Sequence, residues 1–102
     1  VTPGPIRTDG WVYIIINPAW PGFIKLGSAL GLRQRLNTYQ TGSPYRDYTV
    51  AAAARFADCR TAEMILKDQL RGHRVGNTEW FRLHPIDARN HLKRLTKQES
   101  RQ

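Results

Sequence analysis

GWVYIIINPAWPGFIKLGSALGLRQRLNTY, residues 10 to 39, decides how the chain folds. Trp11 to Asn17 is apolar through its middle, as in a strand covered on both faces. NPAWPG, residues 17 to 22, is turn chemistry: its prolines remove ladder donors and Gly22 permits a positive φ. FIKLG, residues 23 to 27, then reads as a second strand antiparallel to the first, with Gly27 allowing a sharp turn or a close approach. Leu32, Leu36 and Tyr39 form an apolar stripe on a helix from about Leu30 to Gln40. Arg35 and Tyr39 lie one turn apart on that helix and share a face. Tyr13, Lys25, Arg35 and Tyr39 can therefore converge over one strand end and one helix, a set of side chains suited to handling a phosphate.

Outward from this stretch, TGSP (residues 41 to 44) stops the helix. Residues 46 to 57, RDYTVAAAARFA, mix helix-forming alanines with Tyr48, Val50 and Phe56, and are assigned as a strand. Asp58 to Thr61 offers N-caps for a second helix reaching Leu70, buried through Ala62, Ile65, Leu66 and Leu70. EWFRL, residues 79 to 83, is a short strand. Pro85 opens a third helix, which carries Ile86, Ala88, Leu92 and Leu95 and ends in a charged, frayed tail. Residues 1 to 9 read as an extended arm or linker, 10 to 95 as one domain and 96 to 102 as the tail. The fold class is α/β (α+β): a small antiparallel sheet of three or more strands flanked by about three helices.

Sixteen Lys and Arg stand against eight Asp and Glu, a formal net charge of +8. A domain this basic is expected to associate with polyanions, nucleic acid first. No apolar run reaches the roughly 18 residues of a membrane span. No leader pattern is visible, so secretion is not indicated and a cytoplasmic or nucleoid-associated setting is expected. The single cysteine, Cys59, excludes an internal disulfide and reads as a buried small residue. His73, His84 and His91 are not spaced as metal ligands.

The order of these motifs resembles the GIY-YIG nuclease superfamily, and within it the branch called after a phage T5 reading frame and a meiotically up-regulated yeast gene. Val12-Tyr13 stands where the "IY" of GIY falls, and KLG (25 to 27) where YIG falls. GSALGLRQRLNTY places Arg35 on the family's catalytic arginine and Tyr39 where members carry histidine or tyrosine. AEMILKDQL places Glu63 on the metal-binding glutamate, and NTEWFRL matches the branch's closing "EWF". Gly10 lies one residue too far from Tyr13 for a strict GIY triplet. Lys25 replaces the second tyrosine, Lys67 stands where histidine is common, and Asn77 is a candidate for the family's late asparagine.

The resemblance implies an Mg²⁺ or Mn²⁺ cofactor on Glu63, which by spacing alone is a surface partner of Lys67. It implies that Arg35 grips the scissile phosphate through its planar fork. Tyr13 would orient or deprotonate water, its phenol lowered by Lys25, Arg35 or metal. Lys25 would tune Tyr13 or hold a phosphate, and Tyr39 would hydrogen-bond water or phosphate. Arg33, Arg46, Lys67, Arg71, His73 and Arg74 are a reserve for nucleic-acid contacts. Trp80 and Phe81 read as core closure.

The function this implies is a metal-dependent DNA endonuclease that nicks with one active site. Its substrate would be double-stranded or structured DNA, and its state a monomer or weak homodimer away from membranes. A non-catalytic nucleic-acid-binding module of the same fold is the alternative, favoured by Lys25. A structural or oligomerising role, with charge serving solubility, is a third.

Overall fold

The computed structural model describes residues 7 to 100. Its elements run β1 (Gly10–Ile16), β2 (Phe23–Ala29), α1 (Leu32–Thr41), β3 (Thr49–Phe56), α2 (Cys59–Gln69), a 3-10 turn over Arg71–His73, β4 (Trp80–Arg82) and α3 (Pro85–Ser100). The four strands form one antiparallel sheet in the order β3-β1-β2-β4. The expected α+β architecture is what the chain adopts.

β1 runs through the middle of the sheet, which explains its unbroken apolar run. Val12 and Ile14 face one side, with Ile24, Leu26, Phe81, Leu66, Leu92 and Leu95 in the main core under α2 and α3. Tyr13 and Ile15 face the other side, where Ala29, Leu32, Leu36 and Tyr39 form a smaller core under α1. Period-two alternation thus divides one strand between two cores. Gly10 abuts α2 so closely that a Cβ would stand 2.9 Å from the buried Cys59 Sγ. Asp58 caps α2, accepting from the Thr61 N–H at 3.2 Å and the Thr61 hydroxyl at 2.8 Å.

Several expected details are corrected. β2 continues to Ala29 because its ladder with β1 extends through Val12↔Ser28 and Trp11↔Ala29. α1 consequently begins at Leu32, after an extended Gly31. β3 is confined to Thr49–Phe56, since Arg46 takes a positive φ of 49° in the preceding turn. Ile65 and Ile86 are exposed: Ile65 lies just beside the arc of α2 buried through Ala62, Leu66 and Leu70, whereas Ile86 falls on the face of α3 opposite Ala88, Leu92 and Leu95. α3 continues through Ser100 instead of fraying after Leu95. Of the expected arm, residues 1 to 6 lie outside the described residues. Thr8 is docked at the β3–α2 junction, its hydroxyl on the Ala57 carbonyl at 2.8 Å and its own carbonyl accepting from Cys59 N–H at 3.1 Å.

Candidate active site

β4 is short, and its shortness creates the site. It pairs with β2 only across Phe23, Ile24 and Lys25, and one further bond carries Leu26 N–H to the Glu79 carbonyl at 3.1 Å. From Gly27 to Ala29 no strand among the described residues pairs with the outer edge of β2. Side chains from both faces of the sheet meet around that edge, in a cleft of about 560 Å³. Tyr13, Gly27 and Arg35 line it from the α1 side, and Ser28, Arg60 and Glu63 from the α2 side.

Tyr13 and Gly27 are register partners on β1 and β2. A Cβ on Gly27 would come within 2.6 Å of Tyr13 Cζ and nearer still to its hydroxyl. Gly27 is therefore glycine because the phenol lies across it, and no turn is involved. The Tyr13 hydroxyl shares a hydrogen bond with the Tyr39 hydroxyl at 2.8 Å, their rings edge-on at 6.1 Å. Burial, reinforced by Tyr39, pushes the Tyr13 phenol well above its ordinary range, and Arg35 pulls it back only in part. The expected lowering by a nearby cation is thus outweighed by desolvation. Burial also opposes the charge on Arg35, but the two phenol oxygens more than offset it.

Glu63 is engaged at both oxygens. Oε1 accepts a hydrogen bond from the Ser28 hydroxyl, and Oε2 pairs with Lys67 Nζ at 2.6 Å. Its side chain is only 17% exposed, so this pair is more sheltered than a typical surface bridge. Among the described residues, no three His, Cys, Asp or Glu side chains group as a metal cage. Magnesium needs none, since one or two carboxylates with waters and a phosphate suffice. Glu63, with the Ser28 hydroxyl on one oxygen and an ammonium cation already drawn to the other, fits such an ion. Lys67 holds the position a metal would contest.

Lys25 does not reach toward Tyr13 as a tuning cation. Its Nζ lies 4.5 Å above the Tyr39 ring and 5.5 Å from the Trp80 ring, a pair of cation–π contacts. Trp80 is half-buried on the same face as Lys25, while Phe81 alone closes the main core. Arg33 and Arg46 are exposed on α1 and in the α1–β3 connection. Arg71 pairs with Asp68 at 3.1 Å, and His73 is exposed in the 3-10 turn. Arg74 ties its own loop, donating to the Thr78 carbonyl at 2.7 Å and the Asn77 carbonyl at 3.3 Å. None of these five lines the cleft. His91, near His73, is lowered by burial first and then by Arg94 and His73.

Ser28 and Arg60 were not singled out from sequence. Arg60 was findable: it precedes Glu63 by three residues and shares its helix face. Ser28 follows the KLG triplet, but its place depends on β2 running two residues past Gly27.

One sheet edge of this α+β domain thus brings a tyrosine pair and an arginine together with a sheltered carboxylate. The model of the T5orf172 domain matches residues 10–96, and the chain belongs to that family, the phage T5 branch of the GIY-YIG-like superfamily. It is a family of nuclease-like, DNA-binding modules. No curated protein and no solved structure matched. No helix among the described residues is long and apolar enough to cross a membrane.

Proposed function

We propose that this domain is a metal-dependent endonuclease that hydrolyses one phosphodiester of double-stranded or structured DNA per active site. The observation that carries the reading is the meeting of Tyr13, Tyr39, Arg35 and Glu63 around a single uncovered strand edge. Arg35 binds two oxygens of the scissile phosphate and neutralises the charge that grows there. Tyr13 and Tyr39, sharing one proton-mediated contact, orient the attacking water. The elevated Tyr13 phenol is neutral around pH 7, so it acts as a positioning hydroxyl there and gains basic character only as pH rises. Glu63 and Ser28 would hold Mg²⁺ or Mn²⁺, which when bound supplies electrostatic stabilisation of the leaving oxygen. Lys67 keeps Glu63 compensated before metal arrives and is then free for a phosphate. Arg60, at the cleft, and the exposed Arg33 and Arg46 add backbone contacts. On this reading it would work in the cytoplasm or nucleoid, as a monomer or weak dimer.

A labelled duplex incubated with magnesium tests the assignment. Arg35→Ala should lower the cleavage rate by about 10²-fold or more, the scale of losing one oxyanion donor. Equal cutting by Arg35→Ala and wild type contradicts it. The second reading, a module that binds DNA without cutting, is favoured by two observations: the Glu63–Lys67 pair and the lysine at position 25. Binding with no cleavage under any divalent metal selects that reading.

A further inference from the structure

α1 covers only part of its side of the sheet. It rests on Tyr13, Ile15 and Ala29. Toward β4 no helix among the described residues covers the same face, and what lies there is aromatic and cationic. Alternation along β2 and β4 puts Phe23, Lys25, Trp80 and Arg82 on it. Arg82 sits 5.6 Å from the Phe23 ring, and Lys25 sits between Tyr39 and Trp80. Trp20, from the β1–β2 connection, packs edge-on against Trp80 at 5.4 Å and an interplanar angle of 62°. Half of Trp20 remains exposed, at 50%.

That tryptophan is held out by a built turn. Asn17, itself 4% exposed, accepts from the Ala19 N–H at 2.8 Å and from the Trp20 N–H at 3.0 Å, and donates to Asp47 at 2.9 Å. Trp20 is a large apolar side chain left half in water, and it belongs to neither core cluster. The strip also connects directly to the cleft: Tyr13 to Tyr39, Tyr39 to Lys25, Lys25 to Trp80, Trp80 to Trp20.

From this continuity we infer that the open face is a stacking platform for unpaired DNA bases, engaging a single strand that leaves the cleft. Paired bases hide their faces, so a duplex gains only charge contacts here. An unpaired base can lie on the free face of Trp20 while Lys25 and Arg82 attract the backbone on either side. The occupant is a polyanion with exposed π-faces, matching a cationic and aromatic surface on a chain of net charge +8. The platform deepens the DNA-cleaving reading and rests on it: it makes a junction between duplex and single strand the preferred substrate.

The test is fluorescence anisotropy with a labelled deoxyoligonucleotide, single-stranded and as its blunt duplex, in EDTA at fixed salt. The full chain is compared with Trp20→Ala and Trp20→Phe. Trp20→Ala should weaken single-strand binding roughly 5-fold or more, the range for losing one base–aromatic stack. Duplex binding should change less than about 2-fold on the same basis, and Trp20→Phe should recover most of the single-strand loss. Equal weakening of both forms, or no weakening, overturns the platform. If metal-dependent nicking by wild type persists alongside that result, only the platform falls. Failure of wild type to bind either form overturns the platform and the DNA-cleaving reading together.

Discussion

The hydroxyl of Tyr13 lies over the backbone of Gly27, in the space a side chain there would need. One residue pair across two strands thus ties the packing of the sheet to the candidate chemistry. Gly27→Ala should destabilise the domain by about 1–3 kcal/mol, the usual cost of overpacking. It should also slow cleavage by moving the phenol. Chemical denaturation of Gly27→Ala, Tyr13→Ala and the double variant measures the coupling. The double variant should be clearly less destabilised than the sum, because the small residue at 13 removes the collision. Strict additivity contradicts the steric origin.

The Tyr13 phenol gives a pH dependence with a definite sign. Its folded-state value is raised above the ordinary value near 10. The neutral phenol is therefore favoured by folding, a stabilisation complete below pH about 10 and lost as pH climbs through the folded value. In the proposed catalysis, the small phenolate fraction would grow about tenfold per pH unit below that value. Nicking should climb steadily from pH 6 to 9, and Tyr13→Phe should be slow and nearly flat. A plateau reached near neutral pH points to a different base.

Much of this geometry was legible in the chain because it follows from alternation. VYIII had to be a central strand, and Tyr13 and Ile15 then had to share a face. Arg35 and Tyr39 follow from helical spacing, and Glu63 from the motif order. The cleft was not legible, because it depends on where β4 stops, and EWFRL gives no sign that only Trp80 to Arg82 will pair. The rise of the Tyr13 phenol depends on burial in three dimensions, which outweighs Arg35. Lys25 looked like a cation for Tyr13, yet two rings from separate elements capture it. Ile65 shows the limit of apolar stripes, since a helix stripe wider than its contact leaves an edge in water; Ile86, two residues before Ala88, falls off the stripe of Ala88, Leu92 and Leu95 altogether.

In the proposed site, Lys67 would compete with a metal ion for Glu63. Lys67→Met should tighten Mn²⁺ binding several-fold, about one to a few RT in free energy for a partly sheltered ion pair. Electron paramagnetic resonance of free Mn²⁺ reads this without any cleavage step. Adding Glu63→Gln to wild type and to Lys67→Met should abolish the difference between them. Unchanged affinity in Lys67→Met, with binding still dependent on Glu63, contradicts the competition.

Lys25 contributes charge to the open face while resting on Tyr39 and Trp80. Lys25→Met keeps most of the apolar stem and removes the ammonium. DNA affinity should fall, and the slope of log affinity against log salt should become shallower by about one unit or slightly less. A salt titration of wild type and Lys25→Met checks this. Identical slopes place the ammonium away from DNA.

Supercoiled plasmid relaxation tests the cutting mechanism most directly. Wild type and Glu63→Ala are incubated with Mg²⁺, with Mn²⁺ and with EDTA. The expected result is open-circular product from wild type with either metal, none in EDTA, and loss of nicking in Glu63→Ala while the protein still shifts DNA on a gel. Plasmid left supercoiled by wild type under both metals, yet retarded on the gel, contradicts cleavage and leaves a binding module.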